Sequence, residues 1–230
     1  MSLLAGVGRG IFWMALPLLL FTTTLRVTIN SPSLYQWGFQ RQNSSTATGL
    51  TQAQLKAGAE GLIAYFNSAQ EPSHILVSGD GQGRELFNPR EVAHLTDVKR
   101  LILGVYRFQE ATLAYATGYT LLMLLLLRRR GFRLLAEDVL VGSGATLGLF
   151  VLLGAALTIS FDQLFLQFHL VSFDNPFWML DPSRDIMIRM FPPGFFADAA
   201  LLIAGGTIAE ALVLGSGALL YLRKEGERRL

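Results

Sequence analysis

No cysteine occurs among the 230 residues, which removes disulfides, cysteine-based zinc sites and thiol nucleophiles together. Charge is scarce as well: 16% of residues are charged against 51% hydrophobic. A soluble domain of this length buries its core without uninterrupted apolar runs of about 20 residues, the length that crosses a bilayer core. Four such runs occur, from Ile11 to Ile29, Phe108 to Leu127, Val139 to Ser160 and Ala199 to Leu222. The expected fold class is a mainly α, polytopic membrane protein. It would form a single membrane domain, residues 1–230, with four transmembrane helices. The first run is longer than the apolar core of a signal peptide and lacks a small-x-small cleavage pattern, so it is expected to be retained.

The net charge of +2 comes mostly from two basic clusters. Arg128, Arg129, Arg130 and Arg133 separate the second and third runs, and Arg223, Lys224, Arg228 and Arg229 follow the fourth. Beside apolar spans such clusters mark the cytoplasmic side and carry no message about nucleic acid. Both termini are then expected on the cytoplasmic side. Segments 30–107 and 161–198 lie on the extracytoplasmic side, where a small α-helical region is expected.

Within the first outer segment, Tyr35, Trp37 and Phe39 read as interfacial aromatics, and RQNSSTATG as a loop or turn. Thr51 with Gln54 three residues later matches a capping box, ahead of an amphipathic helix carrying Leu55, Leu62, Ile63 and Phe66. HILVSGDGQGRELF has two short β-prone runs around a turn, compatible with a short β-hairpin. Its glycines lack the Lys-Ser/Thr of a phosphate loop. Asn88-Pro89-x-Glu91 is a strong helix start. It opens a helix whose apolar arc holds Val92, Leu95, Val98 and Leu101, with Glu91 and His94 at or within it. In the second outer segment Asn175-Pro176 breaks a helix continuing from the third run. Asp181-Pro182 is expected to start another, over SRDIMIRM.

Only three histidines are present. His74 precedes a presumed strand and has no obvious partner. His94 and His169 each sit on an apolar helix with carboxylates at helical spacing, Glu91 or Asp97 for the first, Asp162 or Asp174 for the second. An imidazole pair suits acid and base work near neutral pH. No tight metal motif surrounds it, and no nucleophile elbow surrounds any serine. Neither a cofactor nor a metal is expected. Glu210, an intramembrane carboxylate, invites a functional reading by default, with helix packing against Tyr115 or Tyr119 as the plainer one.

TGLT (48–51), E-x-x-H-L-x-D-V-K (91–99), the aromatic run ending at His169, W-x-x-D-P (178–182) and IRMFPPGFFAD (188–198) resemble the bacterial lipoprotein intramolecular transacylases, the Lit family. The resemblance extends over essentially the whole chain. It implies a membrane enzyme whose partner is a diacylated bacterial lipoprotein, held among membrane lipid. The sn-2 acyl chain of the diacylglyceryl cysteine would move onto that cysteine's α-amine, giving a lyso-form lipoprotein. His94 and His169 take the place of the family's catalytic histidines. Glu91, Asp97, Asp162 and Asp174 are candidates to orient them, and no acyl-enzyme is required. Trp178, Arg184 and Arg189 are candidates for substrate binding, although the arginines also fit a plain interfacial role. A metal-dependent membrane hydrolase using His94, Asp97 and His169, or a non-enzymatic envelope binding protein, remain alternatives.

Overall fold

The computed structural model describes residues 3–69, 76–78 and 83–227. His74 lies outside them. Seven α-helices are described: α1 (Leu3–Ile29), α2 (Pro32–Arg41), α3 (Ser44–Thr48), α4 (Gln52–Phe66), α5 (Pro89–Ser172), α6 (Ile186–Met190) and α7 (Pro193–Glu227). Two three-residue strands, β1 (Leu76–Ser78) and β2 (Gly83–Glu85), pair antiparallel with Leu76 opposite Glu85. Three helices, α1, α5 and α7, are long and apolar enough to cross a membrane. Large apolar side chains such as Leu125, Ile159 and Val213 point outward from them, as helices solvated by lipid require. The chain divides into two compact units, one of Met1–Arg26, Tyr106–Ala156 and Leu202–Leu230, the other of Val27–Val105 and Leu157–Leu201.

Helical residues follow one another over the 84 positions of α5, yet it is not one rod. Tyr119 and Asp138 are 19 residues apart and would stand about 28 Å from each other along a straight helix. Their side chains instead hydrogen-bond at 2.5 Å. The reversal lies between them, where Arg128 adopts a left-handed φ of 48°. Gly131 makes the close return possible: a Cβ there would fall 2.0 Å from the Met123 carbonyl oxygen. The basic cluster expected between two spans is thus a tight helical corner.

In the first unit Phe12, Leu16, Leu20, Ala116, Tyr119 and Ala211 form the core. Gly142 lets its arm of α5 approach Leu16, whose Cδ2 would lie 2.8 Å from an added Cβ; small residues at such crossings are what lipid-solvated helices use to pack. One polar cluster interrupts this core. Asp138 is fully buried and accepts from Arg9 Nε at 2.7 Å, Trp13 Nε1 at 2.9 Å and the Tyr119 hydroxyl. Neither tyrosine hydroxyl is spent on Glu210: Tyr115 donates to the Gly8 carbonyl and Tyr119 to Asp138.

The second unit carries the short helices. The Thr51–Gln54 capping box forms in both directions, at 3.2 and 2.9 Å, and opens α4. Phe39 is buried among Tyr35, Phe191 and Phe195, so it is a core residue rather than an interfacial one. The stretch read as a loop holds α3. Ser44 anchors it by donating to the Met190 carbonyl at 2.9 Å, and left-handed Asn43 and Gly49 bound it. Asp181-Pro182 does not start a helix. The Asp181 side chain accepts from Ser183 N and Oγ, closing a turn, and α6 begins only at Ile186. Asp185 explains the delay: its buried carboxylate accepts from Asp181 N and Asn88 Nδ2.

Candidate functional site

Two ends of α5 meet in the second unit. At its start Asn88 Oδ1 accepts from the N–H groups of Arg90 and Glu91, at 3.0 and 3.1 Å. Glu91 Oε2 returns the bond to Asn88 N at 2.7 Å. The other oxygen, Oε1, accepts from Met187 N at 2.6 Å. With 1% exposure and both oxygens engaged by backbone, Glu91 fixes the helix start against α6. It does not orient His94. Burial pushes its carboxyl above the ordinary range, against the pull of those N–H bonds.

His94 stands one turn further along, and His169 lies in the last turn of the returning arm. Both are beyond the apolar stretches 108–127 and 139–160. Their ring centroids are 6.2 Å apart and the planes differ by 31°, with exposures of 8% and 7%. Aromatic rings enclose them: Phe173 at 5.1 Å from His94, Phe165 at 4.3 Å and Trp178 at 5.0 Å from His169. The Nδ1 of His169 is 2.7 Å from the Phe165 carbonyl oxygen. A carbonyl only accepts, so Nδ1 carries the hydrogen. Nε2 of the neutral ring therefore keeps its lone pair. His94 Nδ1 is buried and has no hydrogen-bond partner among the described residues.

The expected carboxylate partners are placed otherwise. Asp162 and Asp174 are exposed, and neither bonds to His169, whose helix supplies a backbone carbonyl instead. Asp97 accepts from Asn175 Nδ2 at 2.7 Å and from Arg100 at 3.3 Å. It reaches His94 only through its charge, which favours the imidazolium. Trp178 arrives on a short turn, Pro176–Trp178, that two devices hold in place. Asn175 caps it by accepting from Phe177 N at 3.0 Å. Arg90 donates to the carbonyls of Pro176 and Met179, at 2.9 and 2.7 Å. Arg90 and Asn175 were not singled out in the sequence; the one clue was the Asn-Pro pair, read only as a helix break. Arg184 and Arg189 are elsewhere, on a cavity of about 800 Å³ that Glu91 also lines. Among the described residues no group of three or more His, Asp and Glu is arranged to hold a metal ion.

Burial lowers the pKa of His94 to about 4, helped by the neighbouring His169 and opposed by Asp97. Burial lowers that of His169 as well, opposed by the bond to Phe165. Both rings are accordingly neutral at pH 7. As pH falls, an unfolded chain protonates at its ordinary value of about 6.5 before folded His94 does. The folded state then binds fewer protons, and stability declines from about pH 6.5 down to about pH 4. For His94 the loss over that window is about 3 kcal/mol. Thermal unfolding in detergent between pH 7.5 and 4.5 would show it, as a falling midpoint whose slope flattens in His94→Asn. An equal slope in that variant would contradict the assignment.

The family model described as lipoprotein intramolecular transacylase Lit matches residues 10–196. The chain belongs to the Lit family. An uncharacterised relative of the Lit-family chain, from Aquifex aeolicus (strain VF5), is 32% identical over 123 residues, 53% of this chain and 51% of its own length. The matched stretch thus spans about half of that relative. The in meso structure of the membrane-integral Lit from Bacillus cereus superposes with a TM-score of 0.83. Its identity is 19%, and the match covers 99% of this chain and 100% of that one. The same enzyme with a histidine replaced by alanine gives 0.76 at 20% identity, covering 96% and 94%. At those identities the likeness is one of fold. With three helices apolar and long enough to cross a bilayer, it makes this Lit-family chain a membrane protein.

Proposed function

We propose that this protein moves the sn-2 acyl chain of a diacylglyceryl-cysteine lipoprotein onto the α-amine of the same cysteine. The observation that carries the reading is the facing of His94 and His169 in an aromatic enclosure. Family membership and the name of the Bacillus cereus enzyme support it. The amine nitrogen attacks the ester carbonyl carbon, the new C–N bond forms, and the carbon–oxygen bond to glycerol breaks. One proton leaves nitrogen and one reaches the glycerol oxygen, so the product is an isomer of the substrate. Nucleophile and electrophile belong to one molecule, and orientation supplies much of the rate.

His169 takes the amine proton, because Nδ1–H is committed to Phe165 and Nε2 has the free lone pair. His94, held neutral by burial, donates its N–H to the oxygen that becomes negative in the tetrahedral intermediate. A neutral imidazole can donate without first needing a proton from water. His169 then returns its proton to the departing glycerol oxygen. No acyl-enzyme forms. Asp97 acts at a distance on His94 and, through Asn175, on the turn that bears Trp178. Because α5 folds back at Arg128, it would cross the bilayer twice, giving four crossings with α1 and α7. The arginine corner and the C-terminal basic cluster then face the cytoplasm, and the histidines face outward.

Expression in a bacterium whose lipoproteins keep a free α-amine tests the reaction. The N-terminal lipopeptide should keep its mass, lose reactivity toward amine labels, and fragment with one acyl chain on nitrogen. A lipopeptide that remains fully amine-reactive while the protein is present in the membrane would end the proposal.

A further inference from the structure

The histidine enclosure is apolar, but the cavity beside it is not. Thr48, Leu50, Gln54, Glu91, Arg184 and Arg189 are among the residues around its roughly 800 Å³, a volume within the about 300–1,000 Å³ of ligand sites. Glu85 and Asn88 add to the polar side of the lining, and Leu86, Phe87 and Ile186 to the apolar side, so the cavity suits a polypeptide better than a fatty acyl chain. Its donors are incompletely used. Arg184 lies 3.8 and 3.7 Å from the carboxylates of Asp181 and Asp185. Arg189 makes one long bond, 3.4 Å, to the Asp185 carbonyl, and no ion pair among the described residues. Gln54 spends its Oε1 on Thr51, which leaves its amide N–H groups for a ligand.

Position narrows the occupant. Glu91, on the cavity wall, and His94 are one turn apart on α5, about 5 Å along the axis. An α-amine held at the histidines belongs to the first residue of the substrate. An extended chain advances about 3.3 Å per residue, so the residues after the lipidated cysteine reach this cavity within one or two positions. We propose that the cavity bounded by Arg184, Arg189, Gln54 and the 48–50 loop binds the polypeptide of the substrate, starting one or two residues beyond the modified cysteine. Guanidinium and amide N–H groups meet its main-chain carbonyls, and an acidic side chain there would pair with Arg189. This rests on the transacylase reading and adds to it a basis for choosing among lipoproteins.

The test compares two substrates in detergent micelles, a diacylglyceryl-cysteine amide and a diacylglyceryl lipopentapeptide. The wild-type protein should prefer the longer one in kcat/KM. Arg189→Ala should lower that preference about tenfold through KM, the size of one lost charge-assisted hydrogen bond. Arg189→Lys should restore part of it. Leu50→Trp, which fills the cavity without touching charge, should lower the preference as well, so the outcome does not rest on one variant. No preference in the wild type, or an unaltered preference in both variants, overturns the inference and leaves the transacylase reading standing. A preference that instead changes with the anionic lipid content of the micelles would reassign the arginines to headgroups and also overturns it. Failure of the wild-type protein to transfer acyl chains on either substrate removes both.

Discussion

Replacing His169 by alanine is expected to lower acyl transfer by about 10²–10⁴-fold, the usual worth of a positioned general base. The protein should still be present in the membrane at comparable level. Nε2 of this ring holds the lone pair for the reacting amine, since Nδ1–H is fixed on the Phe165 carbonyl, while His94, the other imidazole of the enclosure, serves as the donor. His94→Ala should cost a similar factor by removing the donor to the tetrahedral oxygen. The two losses should not multiply. Groups that act on one proton inventory are strongly non-additive, and the double variant should sit within about tenfold of the worse single. Asp162→Ala and Asp174→Ala provide the contrast: both carboxylates are exposed, and transfer should persist within about twofold, as for surface changes away from a site. Tandem mass spectrometry of the lipopeptide reads all five variants. Transfer within tenfold of wild type in either histidine variant would remove the acid–base assignment.

The apolar runs were legible because lipid leaves a segment-long signature: α1, α5 and α7 contain all four stretches. The helix starts at Thr51 and Asn88 were legible because a capping box is a local motif, and both boxes formed. Pairing of His94 with His169 was anticipated from likeness to a family; spacing along the chain could not show that two arms of one helix return to each other. The orienting partner of His169 escaped notice for a different reason. Every helical residue has a carbonyl four positions back, so the Phe165 oxygen carries no side-chain signal, whereas aspartates draw the eye. Asp181 misled because Asp-Pro is equally a turn former. There Asp185, an ordinary surface residue by type, is in fact buried beneath Asn88. Arg9 and Asp138 were overlooked since each, alone, reads as a flanking charge at the end of an apolar run. Only their meeting 129 positions apart makes them a unit.

That unit supports the largest stability effect. Asp138→Ala should destabilise the helix bundle by about 3–5 kcal/mol, the range for breaking one side of a buried ion pair. The substitution strands three donors at once: Arg9 Nε, Trp13 Nε1 and the Tyr119 hydroxyl all converge on the two oxygens of this carboxylate. Arg9→Ala should cost less than half as much. It leaves Asp138 with two neutral donors, whereas Asp138→Ala leaves a permanently charged guanidinium that keeps the longer contact to Glu137, 3.4 Å. Joining Arg9→Met to Asp138→Leu should recover part of the single-variant loss, because an apolar pair strands only the weaker indole and phenol donors. Thermal unfolding in detergent for the two singles and the double gives the coupling directly. An Arg9→Ala loss equal to or greater than that of Asp138→Ala would show that charge pairing dominates, rather than convergence of three donors on one acceptor.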